Sequence, residues 1–182
     1  MFELVPAEER HLDEISPLLF ETGYYDYVGQ GNKLQLAPIE FEKLQTLKPY
    51  LAYTYVLIDK ETGGVAAFFI AATKAQVAKV DSETPNWYRD DAEITGFFKT
   101  LSEFYVGETL ETDFVLFGIT VESRYRGQGL FKILTQDLNR LATEQGCNRI
   151  VFAVWESHRD ALAIYRHYGA EVTGAIDLTE TG

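Results

Sequence analysis

The chain has 182 residues, 46% apolar and 24% charged, the balance of one soluble globular domain over 1–182 with a sizeable core. Its formal net charge is −12, a field that repels phosphodiester backbones, argues against nucleic acid as the partner and draws in cations such as amines. The plainer reading of that charge is solubility alone. No apolar run approaches the ~20 residues of a membrane span, the first ten residues carry no signal-peptide pattern, and Cys147 is the only cysteine. A lone cysteine excludes an intramolecular disulfide and a thiol-based zinc site, so a cytoplasmic protein without membrane or metal is expected.

In chain order, Phe2–Val5 reads as a strand ended by Pro6, and Leu12, Ile15, Leu18 and Leu19 predict a helix over Glu8–Phe20 that Pro17 kinks or ends. Tyr24–Asn32 reads as a loop by its glycines and asparagine. Ile39, Phe41, Leu44, Leu47 and Leu51 predict a second helix opened by Pro38. Tyr53–Asp59 and Val65–Ala72 are β-rich runs joined by Lys60-Glu61-Thr62-Gly63-Gly64, a hairpin turn. From Thr73 to Asp113 the pattern weakens: Ala75–Val80 and Ile94–Phe104 are ambiguous, with Pro85-Asn86 between them.

The last third is sharply patterned. Phe114–Val121 is a continuous apolar strand, and a helix over Leu130–Gln145 carries Leu130, Leu134, Leu138 and Leu141 on one face before Gly146. Arg149–Trp155 reads as a buried strand, and Ser157-His158-Arg159-Asp160 as a capping box opening a helix with Ala161, Ile164, Tyr165 and Tyr168 on one side and Gly169 as its stop. Val172, Ile176 and Leu178 predict a final strand. The order implies a mixed sheet with helices on its faces, of the α/β or α+β class.

Between strand and helix lies Arg124-Tyr125-Arg126-Gly127-Gln128-Gly129. Two glycines at a helix mouth let the backbone turn sharply and present N–H groups outward, where they and the helix dipole form an anion site. Arg124 and Arg126 add forked donors suited to phosphate oxygens, so a diphosphate is the natural occupant. Neither the P-loop nor the Rossmann fingerprint fits, because the Lys-Ser/Thr pair and the third small residue are missing. The bland alternative is a glycine-rich turn with no ligand.

Arg124-x-x-Gly127-x-Gly129 resembles the Gln/Arg-x-x-Gly-x-Gly/Ala signature of the GNAT acyl-CoA N-acyltransferases, and Ala161-Leu162-Ala163-Ile164-Tyr165-Arg166-His167-Tyr168-Gly169 resembles the family's Ala-x-x-Leu-Tyr-x-x-x-Gly-Phe helix. The resemblance is strong over 114–170 and extends only to element order before that. The family often has Asn where His158 stands and Phe where Ala170 stands; His158 is either a donor to the cofactor or a solvated first-turn residue. The resemblance implies a mostly antiparallel central sheet with helices on both faces, and acetyl-CoA as co-substrate. Its pantetheine arm would bond to main-chain groups of Ile119, Thr120 and Val121, and its pyrophosphate to N–H groups from Arg126 through Leu130, Gly127, Gln128 and Gly129 included.

The implied reaction is direct attack of an amine on the thioester. It asks for an acid, and the family's catalytic tyrosine falls on Tyr165, which from periodicity alone is a core aromatic. It also asks for a base, because an alkyl amine with pKa near ~10.4 arrives protonated. Asp113 stands where the histone-modifying branch carries Glu; Glu93, Glu111, Glu122 and a water relay are alternatives, and covalent chemistry at Cys147 is not expected. The acceptor is a primary amine of a small molecule or peptide, cationic by the charge argument, with Tyr24, Tyr25, Tyr27 and the segment 73–113 as pocket walls. Some of the 14% aromatic content is available to a homodimer contact. A non-catalytic CoA-binding module and a longer acyl donor are the rival readings.

Overall fold

The computed structural model describes residues 1–29, 37–83 and 109–176, with Gly96 and Thr100. Five strands form one sheet in sequence order: β1 (Phe2–Pro6), β2 (Thr54–Asp59), β3 (Val65–Thr73), β4 (Asp113–Val121) and β5 (Arg149–Val151). The first four pair antiparallel, and β5 lies parallel to β4. Helices α1 (Leu12–Gly29), α2 (Pro38–Glu42), α3 (Lys74–Glu83), α4 (Leu130–Glu144) and α5 (Arg159–His167) complete the chain order. The expected mixed, mostly antiparallel sheet with helices on both faces is what forms.

Alternation along the central strands builds two cores. Ala67, Phe69 and Ala71 of β3 face α4, whose stripe Leu130, Leu134, Leu138 and Leu141 is buried against them. Phe68, Ile70 and Ala72 point the other way, toward Leu12, Ile15, Leu18 and Leu19 of α1. A strand covered on both sides reads as a continuous apolar run, which is why β3 shows no polar alternation.

Several elements depart from expectation. Helix α1 runs through Pro17 and on to Gly29, so Tyr24, Tyr25 and Tyr27 lie on a helix and not in a loop. An interior proline costs about 3 kcal/mol, whereas burying Ile15, Leu18 and Leu19 on the sheet returns roughly 1.5–3 kcal/mol per side chain. Ala75–Val80 resolves as part of α3, while Ile94–Phe104, apart from Gly96 and Thr100, lies outside the described residues. Strand β5 ends at Val151, well short of Trp155, and beyond that residue no ladder forms among the described residues. Helix α5 starts at Arg159 with His158 as N-cap and no side-chain cap bond, so the capping box does not form. Among the described residues Val172–Ile176 pairs with no strand, and Leu178 lies outside them.

Candidate functional site

Strand β4 is bulged at Phe117. Ile70 faces Gly118 and Ala71 faces Leu116, so Phe117 is the extra residue in the β4 register. An extra residue shifts the side-chain alternation by one. Phe114 and Leu116 point into the α4-side core before the bulge, Ile119 and Val121 after it. The bulge lies two residues beyond Val115, the last residue that β5 pairs. Asp113, Phe114 and Val115 match Arg149, Ile150 and Val151, and from Leu116 to Val121 the outer edge of β4 has no strand partner among the described residues. Main-chain donors and acceptors along that edge therefore have no strand to pair with among the described residues. Ile119, Thr120 and Val121 all lie on this open stretch, and the buried Thr120 hydroxyl finds no hydrogen-bond partner among the described residues.

At its far end the edge runs into the glycine turn. A 3-10 turn, Ser123–Tyr125, leads to Gly127 at φ 77° and Gly129 at φ 78°, and Leu130 opens α4. A Cβ at either glycine would meet nothing within 4 Å, so left-handed backbone, not crowding, selects glycine here. The N–H groups of Gly127, Gln128 and Gly129 find no acceptor among the described residues, and they sit at the positive end of the α4 dipole. Arg126 departs from expectation in one respect: its own N–H is given to Ser123 O at 3.2 Å, so the free set begins at Gly127.

The side chains of the turn are held internally. Arg124 pairs with Glu122 at 2.7 Å, and Arg126 reaches back to Glu21 of α1 at 2.5 Å while its Nε donates to Val121 O at 3.0 Å. Gln128 donates to Arg124 O at 3.1 Å. Both arginines are therefore neutralised by carboxylates of this chain, which an incoming anion must displace or share. Nothing in the sequence pointed to Glu21, 105 positions from its partner.

Tyr165 of α5 is half-buried between Phe152, 4.4 Å away ring to ring, and Phe131 in the first turn of α4 at 6.2 Å. Burial pushes its phenol above the ordinary value, so it stays protonated at neutral pH. His158 caps α5 through its main chain, its carbonyl accepting the Leu162 N–H at 3.0 Å.

Asp113 sits at the closed end of the β4–β5 pair and is fully buried. Arg149 Nε donates to one carboxylate oxygen at 2.8 Å, Arg149 Nη2 to the other at 2.6 Å, and Leu110 N to the latter at 2.7 Å. The forked guanidinium holds the carboxyl below its usual range. Buried Cys147 lies beside it, its thiol donating to Asp113 O at 3.4 Å; burial and then the Asp113 charge push that thiol up, away from a nucleophilic thiolate. Among the other base candidates, Glu122 is committed to Arg124, Glu111 pairs with Lys74 at 3.4 Å, and Glu93 lies outside the described residues.

The model of the acetyltransferase (GNAT) family matches residues 47–170. A search of curated proteins finds no match. Solved structures share the fold at low identity. A mutant of the BH1408 protein from Bacillus halodurans is 12% identical, with a TM-score of 0.59 over 96% of each chain. The aminoglycoside acetyltransferase AAC(6')-Ih from Acinetobacter baumannii is 17% identical, with a TM-score of 0.57 over 97% of this chain and 95% of that one. AAC(6')-Iy, in complex with the bisubstrate analogue CoA-S-monomethyl-acetylneamine, is 15% identical, with a TM-score of 0.56 over 97% and 95%.

Proposed function

The chain belongs to the acetyltransferase (GNAT) family, and from that premise we propose that it is an N-acetyltransferase moving an acetyl group from acetyl-CoA to a primary amine of a small molecule or peptide. The observation that carries this reading is the open edge of β4 from Leu116 to Val121 leading into the unpaired N–H groups of Gly127, Gln128 and Gly129. An extended amide-bearing arm can add to such an edge as a strand would, and a diphosphate suits the helix mouth beyond it. The orphaned Thr120 hydroxyl lies on the same stretch. His158 is the further donor in this reading. The solved complex of AAC(6')-Iy with an analogue joining CoA to neamine supports an amine acceptor. A net charge of −12 favours a cationic one.

In this reaction the amine nitrogen attacks the thioester carbonyl, and the tetrahedral intermediate collapses as the C–S bond breaks. A thiol of pKa near ~8.5 leaves readily once it can take a proton, and a phenol held above its usual ~10 is a competent donor to it. Tyr165 fills that role. The amine's proton goes to water rather than to Asp113, whose carboxylate is occupied by Arg149. The lone, reduced Cys147 is compatible with a cytoplasmic setting.

The test is thermal unfolding with and without acetyl-CoA, followed by a thiol-release assay over a panel of amines. Ligand at 100 times its Kd stabilises by ~2.7 kcal/mol, a shift of roughly 5–10 °C for a chain of this size. No shift with any acyl-CoA would sink the reading. A shift without thiol release from any amine would leave a binding module, and faster release from longer acyl-CoAs would change the donor.

A further inference from the structure

Asp59 closes β2 immediately before the hairpin turn, and the residue is 7% exposed. One oxygen accepts the Glu61 N–H at 3.0 Å, the local bond by which an aspartate shapes the turn that follows it. The other accepts the Thr62 hydroxyl at 3.1 Å and, from 66 positions away, the hydroxyl of Tyr125 at 2.9 Å. The hairpin needs only the local bonds. Its turn is already closed by Asp59 N to Gly64 O at 3.0 Å and Gly63 N to Asp59 O at 2.7 Å.

What the long-range bond fixes is the other partner. Tyr125 is 8% exposed, its ring meets Phe2 edge-on at 5.8 Å, and the Arg124 guanidinium lies over it at 5.1 Å from the centroid. Two residues later the chain enters the stretch with Gly127 and Gly129 in left-handed backbone, where nothing but main-chain conformation aims the N–H groups. Glycines lose the most freedom on ordering, so an unanchored turn of this kind would order only when its ligand arrives, at a cost in affinity. Both the charge and the burial of Asp59 make its bond to the phenol a strong anchor.

We propose that Asp59 is a positioning residue for the diphosphate turn, acting through the Tyr125 hydroxyl to hold the N–H groups of Gly127, Gln128 and Gly129 in their binding orientation. The proposal rests on the acetyl-CoA reading above. Tyr125→Phe removes the hydroxyl alone, keeping the ring, the Phe2 contact and the site for Arg124. Asp59→Asn removes the charge and keeps one oxygen. The Kd for CoA is measured by calorimetry, KM for acetyl-CoA and kcat in the thiol-release assay, and folding by circular dichroism and urea unfolding. Each single variant is expected to raise Kd for CoA and KM for acetyl-CoA about tenfold, as loss of one charge-assisted bond implies, with kcat changed by less than about twofold because Tyr165 stands apart from the anchor. The double variant is expected to be no worse than the worse single one, since both act on the same bond. Folded Tyr125→Phe that binds CoA as the unaltered protein does, or additive losses in the double variant, would overturn the anchor while the acetyl-CoA reading stands. Absence of CoA binding by the unaltered protein overturns both. Should Asp59→Asn fail to fold, Tyr125→Phe alone decides.

Discussion

Tyr165 shows how the same residue satisfies packing and chemistry. By periodicity it is a core aromatic, and its ring does pack between Phe152 and Phe131. That burial is also what raises its phenol, so the supply of protonated Tyr165 stays complete through neutral pH and falls only as pH climbs past the raised value. Tyr165→Phe keeps the packing and deletes the proton. It is expected to lower kcat about 100-fold, within the range of general acid catalysis, while Kd for CoA changes by less than about threefold. Steady-state kinetics with calorimetry would check this; an unchanged kcat would remove Tyr165 from the acid's place. Asp113 is the contrasting case. Likeness to the histone-modifying branch, which carries Glu at this place, suggested a base, yet its partner Arg149 stands 36 positions away and meets it through the parallel register of β4 and β5. Side-chain commitments of that kind are invisible until strands are paired.

At the scale of elements, what could be read locally was read: the hairpin turn, the leucine stripe of α4 and the glycines at its mouth each follow from spacing within one segment. What could not be read depends on neighbours. The bulge at Phe117 exists only relative to β3, and the β4–β5 pairing ends at Val151, although Phe152–Trp155 has strand composition. Pro17 in α1 is overruled by burial on the far side of the sheet. The helix mouth allows a test free of steric confusion, since a Cβ at Gly129 meets nothing within 4 Å. Gly129→Ala should then cost only the left-handed backbone, about 1 kcal/mol of stability, and weaken CoA binding about fivefold. Gly129→Asn should lose less, because asparagine tolerates that conformation, and Gly129→Val more. Equal binding by all three variants in calorimetry would show that the turn does not hold the diphosphate.

Across the whole molecule two electrostatic effects oppose each other. A net charge of −12 repels itself, so protonating exposed carboxylates on mild acidification relieves the fold. Against this stand Asp59 and Asp113, whose carboxyls are held below the usual range, Asp59 first by the Glu61 N–H and Asp113 first by Arg149. For a depressed folded pKa the unfolded chain binds protons first as pH falls. The stability these groups contribute is therefore complete above about pH 5 and is lost as pH drops through the ordinary carboxylate range toward their lower folded values. At 0.15 M salt, repulsion between exposed charges is screened beyond about 8 Å, whereas the bonds of buried carboxylates are not, so the second effect wins below about pH 5. Urea midpoints measured from pH 7 to pH 3 should stay level or rise slightly to about pH 5 and then fall. Asp113→Asn should lie about 2 kcal/mol lower at pH 7, a figure kept modest because the Arg149 side chain is 42% exposed, and its decline below pH 5 should be shallower than that of the unaltered protein. Parallel acid limbs in the two proteins would show that Asp113 carries no proton-linked stability, and would reopen it as the base.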